Sequence, residues 1–322
     1  MNDIFWLTTQ TVFGAMLRIF FIMFIAGVLV RKNIISQEML SALSRFTVII
    51  LLPPLIFSNN LLHFNPEKES NWWVLPLLGA GMTLGGLAIA YIFYIPDYKK
   101  NKNMLPVSSM QNAAYLVLPI VQILYPEQFP KFALFVFLYV IGVTPLMWSI
   151  GKILITSSEN LNTPFKINDL ITPPLIANLL SIIIVLAAMR NIVPKVVIDS
   201  AELLGKGAVP TATFVLGATL GSISFRKTPP FKDILRVNLI KFLVIPATTV
   251  FLLYQFNIFV SNPLLSNFLV IQSAAAPATS LIIQVKAYNG DVQKVGSIMF
   301  IAYIICLFAL PFWMAYWNYL IA

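Results

Sequence analysis

The sequence predicts an all-α polytopic membrane protein of ten transmembrane helices, built as two inverted five-helix repeats with breaks in helices 4 and 9. Three observations predict it. Of the 322 residues, 59% are hydrophobic and only 10% are charged, whereas a soluble domain carries about 25% charged residues. Uncharged runs near 20 residues recur along the chain, the length an α-helix needs to cross about 30 Å of hydrocarbon. The two halves also echo each other in order and spacing.

The spans follow in order. The first, 4–30, contains one charge, Arg18, and ends at "VRKN". With no basic residue before it and no small-residue cleavage site after it, a cleavable signal is not expected. Span 2, 46–64, contains Pro53; span 3, 72–95, ends before Lys99, Lys100 and Lys102. Span 4, 104–125, contains "QNAAYLVLPIVQIL" (111–124), and span 5 covers 132–151. A short linker, 156–167, then separates the first repeat, 1–155, from the second, 168–322. Span 6, 170–189, is apolar apart from Asn178, which reads equally as a packing residue. Span 7, 203–225, is diluted by Lys206 and several glycines; span 8, 234–260, carries Lys241. Span 9, 263–286, contains "QSAAAPATSLIIQV" (272–285), and span 10, 295–321, holds the single cysteine, Cys306, read as a small buried apolar residue.

Basic residues sort by side. The loops and span ends on the side after odd-numbered spans hold 14 Lys and Arg and those on the side after even-numbered spans hold 5, with Arg18 and Lys241 deeper inside spans. The positive-inside rule then places both termini outside and the 156–167 linker in the cytoplasm. The net charge of +9 is thereby a topology signal, and no nucleic-acid partner is expected.

"RKNIISQ" (31–37) follows span 1 and "MRNIVPK" (189–195) follows span 6. Pro53 and Pro210 then enter the next span, with Phe57 and Phe214 each four residues later. "YPEQFPKFALFVF" (125–137) parallels "YNGDVQKVGSIMF" (288–300), with Tyr, Lys and Phe in one register. Two units of five spans must insert with opposite orientations, because five is odd. Inverted repeats with interrupted helices in matching places characterise secondary transporters.

The interruptions fall in spans 4 and 9. Proline in a helix interior costs about 3 kcal/mol, and the backbone groups it frees persist in a bilayer only where they line protein or water. Small residues, Ala113–Ala114 and Ala274–Ala276, let backbones approach. Half-helix N-termini carry partial positive charge suited to an anionic group. The competing reading is a pair of proline kinks with no site.

Six stretches stand in order along the chain: "LSRFTVIILLPPLIFSN" (43–59), "QNAAYLVLPI" (111–120), "NDLITPPLIANLLSI" (168–182), "IKFLVIP" (240–246), "AAAPATSLIIQVKAYNGD" (274–291) and "ALPFW" (309–313). Together they resemble the auxin efflux carrier family of plant PIN-type carriers and bacterial organic-acid permeases. The resemblance implies two inverted five-helix repeats with helices 4 and 9 crossing at the midplane, and an elevator-like motion of a transport domain. It also implies small organic anions as substrates and a homodimer built through scaffold helices. Two departures stand out. The linker is short where plant carriers have a large hydrophilic segment, and the crossover reads Gln111-Asn112 rather than Pro-Asn, which moves the expected break toward Pro119. These point to a compact microbial-type member and away from auxin itself as the natural substrate.

The expected substrate-binding set is Gln111, Asn112, Pro119, Lys241, Gln272, Ser273, Pro277 and Thr279. The Asn112 amide offers donors to a carboxylate, against the plainer role of an interhelical hydrogen bond. Gln272 and Ser273 precede the second break; Thr279 and Ser280 follow Pro277 and serve either ligand or freed carbonyls. Lys241 and Arg18 are intramembrane charges, costly and therefore functional by default, with snorkelling as the alternative for Lys241.

No span holds Asp or Glu in its middle, so no carboxylate relay is visible; sodium held by backbone carbonyls at the breaks stays open. No His/Cys/Glu cluster or phosphate loop supports metal or nucleotide chemistry, so neither a cofactor nor an enzymatic activity is expected. The reading is a secondary or facilitative transporter of small carboxylates, such as malate, malonate or auxin-like acids. It sits in the cell membrane, the inner membrane in a prokaryote. The alternative is a membrane sensor that binds such an anion without moving it.

Overall fold

The computed structural model describes residues 2–156, 171–223, 229–288 and 290–322. The 156–167 linker lies outside them except for Thr156. Among the described residues the chain is helical, and seven helices are long and apolar enough to cross a membrane. We label the main helices α1 (Asn2–Arg31), α2 (Gln37–His63), α3 (Val74–Asn101), α4 (Met104–Ser109), α5 (Val117–Leu124) and α6 (Phe129–Ile155). The second half gives α7 (Pro173–Leu186), α8 (Lys195–Gly221), α9 (Phe231–Gln255), α10 (Pro263–Ala274), α11 (Ser280–Ala287) and α12 (Val292–Ile321).

Local signals explain most boundaries. Ser36 accepts from the Met39 N–H and starts α2, Thr172 accepts from Leu175 before Pro173 starts α7, and Asn262 accepts from Leu265 to start α10. Each is a short polar side chain satisfying an orphan donor of the first turn. α1 and α7 end in left-handed residues, Asn33 at φ 56° and Ala188 at φ 56°. The predicted spans 2 and 7 are corrected at their starts, to Gln37 and Lys195. Both helices begin in a polar, exposed segment that hydropathy does not count.

Spans 4 and 9 are each two helical pieces, α4 with α5 and α10 with α11, and span 6 is the 14-residue α7.

The helices pack as two sets. α1 lies on the C-terminal half of α8, and α2 lies on α7 and on the N-terminal half of α8. In the other set α3 lies on α6 and α4, and α10 lies on α12 and α9. The sets meet where α1 packs on α12 and α2 on α6. α1 and α12 are antiparallel: Phe5 stacks edge-on with Phe312, Phe13 meets Phe308, and Asn318 bonds Thr8. Bare backbone makes the tightest contact of α1 with α8. A Cβ added at Gly217 would stand 2.2 Å from Met23 Cα, and one at Gly221 would stand 2.3 Å from Gly27 Cα. In lipid, where hydrophobic drive between helices is absent, such close approach is what holds them.

One end of the second set is tied by charge. Asp97 of α3 pairs with Arg236 of α9 at 2.6 Å, and Lys294 of α12 pairs with Asp233 of α9 at 2.7 Å. Lys294 also donates to Asn101 at 3.0 Å.

Candidate functional site

The two helix breaks meet. The chain leaves α4 at Met110 in extended conformation and leaves α10 at Ala275 likewise. Gln111 and Pro277 then face each other as an antiparallel bridge. The Asn112 N–H donates to Ala276 O at 2.8 Å, and the Ala278 N–H donates to Met110 O at 3.0 Å. Each break thus satisfies backbone groups of the other, which a bilayer interior demands. Pro277 occupies the position of this bridge that exchanges no N–H bond, so its missing donor costs nothing there.

Side chains complete the junction. Asn112 Nδ2 donates to the Tyr303 hydroxyl at 2.8 Å, and that hydroxyl donates to Pro277 O at 2.9 Å. Asn112 Oδ1 accepts from the Leu116 N–H at 3.3 Å and so ties down the turn that leads into α5. Gln272 Nε2 donates to Ala113 O at 2.9 Å, carrying α10 across to the first break, while its Oε1 is buried without a partner. Gln111 donates to the Tyr139 hydroxyl, which donates to Met82 Sδ at 3.1 Å.

Of the expected set, the structure brings Gln111, Asn112, Gln272 and Pro277 into one cluster. Thr279 stands half-buried at the start of α11. Ser273 turns its hydroxyl back to Val270 O within its own helix. Pro119 is not at the break, which runs from Met110 to Leu116. It is the third residue of α5, where first-turn N–H groups lack intrahelical partners in any case. α9 begins at Phe231, ten residues before Lys241, and Lys241 is 0% exposed, so it does not snorkel. Arg18 is exposed on α1. Asn178 does pack between helices: it donates to Phe137 O at 2.6 Å and accepts from Asn60 at 2.8 Å. Cys306 is buried and bonds Ala274 O at 3.5 Å.

Tyr303 was not legible as a site residue. It sits in an apolar run of span 10, and only the packing of α12 carries its hydroxyl to both breaks. A cavity of about 410 Å³ between α1, α8 and α12 reaches it, walled by Met23, Phe24, Gly217 and Phe300, with Arg31 at the end of α1. Arg31 Nε donates to Gly221 O at 3.3 Å, holding the guanidinium beside the cavity. At the opposite end of the helices a second recess of about 330 Å³ opens between α3, α6 and the α9–α10 connection. There Lys131 and Glu69 lie 3.8 Å apart, and burial pushes the Glu69 carboxyl up from the ordinary carboxylate range. A volume near 400 Å³ with a few convergent polar groups is of the size small-molecule sites take.

Membrane-length helices, two of whose neighbours are interrupted and joined through their breaks beside a cavity, define a membrane transport protein. The chain belongs to the auxin efflux carrier family: the family described as Membrane transport protein matches residues 11–314. It is 25% identical over 289 residues to an uncharacterized transporter of Methanocaldococcus jannaschii, covering 87% of this chain and 91% of that one. It is 24% identical over 177 residues to PIN-LIKES 4 of Arabidopsis thaliana, covering 50% of this chain and 43% of the plant protein. PIN-LIKES 3 of the same plant is 24% identical over 173 residues, 51% of this chain and 44% of that one.

Proposed function

We propose that the protein carries small organic anions across the membrane, with the carboxylate held at the helix junction. The observation that carries this reading is the Asn112–Tyr303–Pro277 hydrogen-bond chain, whose Tyr303 lines the 410 Å³ cavity. Asn112 keeps a second amide N–H for a ligand, and Arg31 near the cavity's other end attracts an anion into it. The largely apolar walls suit a short carbon skeleton such as that of malate or malonate, or the larger body of an auxin-like acid.

Ten crossings follow if α7 and the two broken pairs also span, as two inverted units over 1–155 and 168–322. Both termini then face outward in the cell membrane. The packing into two sets suits an elevator, in which the set containing the junction slides along α1 and α2. A second copy docked on the α1, α2, α7 and α8 set would make a homodimer.

The test is uptake of radiolabelled malonate, malate and indole-3-acetate into proteoliposomes, beside anion-induced thermal shifts. Exchange of a carboxylate that Asn112→Ala weakens supports the reading. Binding without exchange makes the protein a sensor, and neither binding nor exchange overturns the proposal.

A further inference from the structure

Lys241 is the buried charge that this reading leaves without a task. It is 0% exposed and lies on a one-turn π-helical stretch of α9, Ile240–Val244, a rare geometry that clusters at functional sites. Its Nζ donates to Ser109 O at 3.4 Å, and Ser109 is the last residue of α4. Facing it from α12 is Cys306, whose thiol donates to the carbonyl of Ala274, the last residue of α10. On a further side α3 closes in at Gly86, where an added Cβ would stand 3.6 Å from Ser109 O. The amine is therefore beside the C-terminal end of one half-helix and one side chain from that of the other. Among the described residues no carboxylate pairs with it.

Half-helix C-termini carry partial negative charge and carbonyls that lack intrahelical donors. In carriers with interrupted helices, these ends and the unwound carbonyls hold the coupling sodium ion or proton. We propose that the Lys241 ammonium is a built-in cation that takes the place of a coupling ion between the ends of α4 and α10, so that the carrier runs without sodium. A tethered charge neutralises both ends in every step of the cycle, where a diffusible ion would have to leave and rebind. Only the uptake arm of the following test rests on the transport reading above; the binding arm does not.

The experiment compares the full-length parent with Lys241→Ala and Lys241→Met in detergent and in proteoliposomes. Sodium chloride titrated against choline chloride should raise the melting temperature of Lys241→Ala and leave the parent unmoved, because deletion of the ammonium opens the carbonyl ends to a small cation. Lys241→Met fills the space with an apolar stem, so it should fold without gaining the sodium response. In proteoliposomes, malonate exchange by Lys241→Ala should fall on the order of tenfold in choline and recover in sodium, while the parent runs equally in both. Two results overturn the proposal: a folded Lys241→Ala whose stability ignores sodium, or a parent whose own melting temperature rises with sodium. Parental exchange that follows an imposed proton gradient, lost in Lys241→Ala, would make the amine a proton carrier and overturn it as well. A sodium-responsive Lys241→Ala with no carboxylate exchange in the parent would leave the cation site standing and reject the transport reading alone.

Discussion

Asn112 has two duties in the structure: it ties down the turn that leads into α5 by accepting from the Leu116 N–H, and it holds Tyr303, which lines the cavity. Asn112→Ala therefore removes two buried hydrogen bonds, at about 1 kcal/mol each. It should lower thermal stability as well as weaken anion binding by roughly 10- to 150-fold. Tyr303→Phe separates these effects. It keeps the Asn112–Leu116 bond and the ring, breaks the bridge between the two breaks, and should lower the melting temperature while leaving part of the anion-induced shift; an unchanged melting temperature would show that the hydroxyl does not hold the junction. Pro277→Ala, by contrast, need not heal the helix, because the flanking bonds to Met110 O and from Asn112 N–H persist without the proline ring. A stability gain is available at Ala188. Its φ of 56° is the left-handed region, and the N–H groups of Ala188 and Met189 return to Val185 O and Ile184 O in the helix-ending turn that glycine favours. Ala188→Gly should stabilise the protein by about 1 kcal/mol, read as a higher melting temperature.

At the scale of elements, contact between bare backbones sets how closely helices lie. A Cβ added at Gly142 of α6 would stand 1.9 Å from Pro76 O of α3, whereas one added at Gly85 of α3 meets nothing within 4 Å. Gly142→Ala must push α3 and α6 apart, at a cost of about 1–3 kcal/mol on the scale of overpacked cores. Gly85→Ala should be neutral or stabilise by about 0.5–1 kcal/mol through helix propensity. Denaturation of the two variants in the same detergent checks the contrast. Equal stabilities would mean that α3 and α6 are not packed as described. The breaks belong to this scale too. Proline and small residues marked them in the sequence, but a proline signals only that a helix is strained nearby. Pro119 sits harmlessly in the first turn of α5, and the actual break begins with Met110, which carries no breaking signal.

At the scale of the whole molecule, the charge asymmetry makes a prediction of sidedness. Lys100 is exposed at the end of α3, in a loop of the strongly basic set, so Lys100→Cys should react with an impermeant thiol reagent only after the membrane is opened. Native Cys306 is buried and should stay silent. Rapid labelling in intact cells would invert the topology. The sequence by itself determined that the chain is helical, lives in a bilayer and is interrupted in two places, because hydropathy, charge and proline act along the chain. It also marked Gln111, Asn112, Gln272 and Pro277 as polar or rigid residues in apolar surroundings. Only the tertiary structure decided that the two breaks pair through their backbones, that Tyr303 joins them, and that Lys241 lies at the end of α4. Those are contacts between residues more than a hundred positions apart or on different helices. Their partners are fixed by which helix faces pack together, and no local periodicity encodes that.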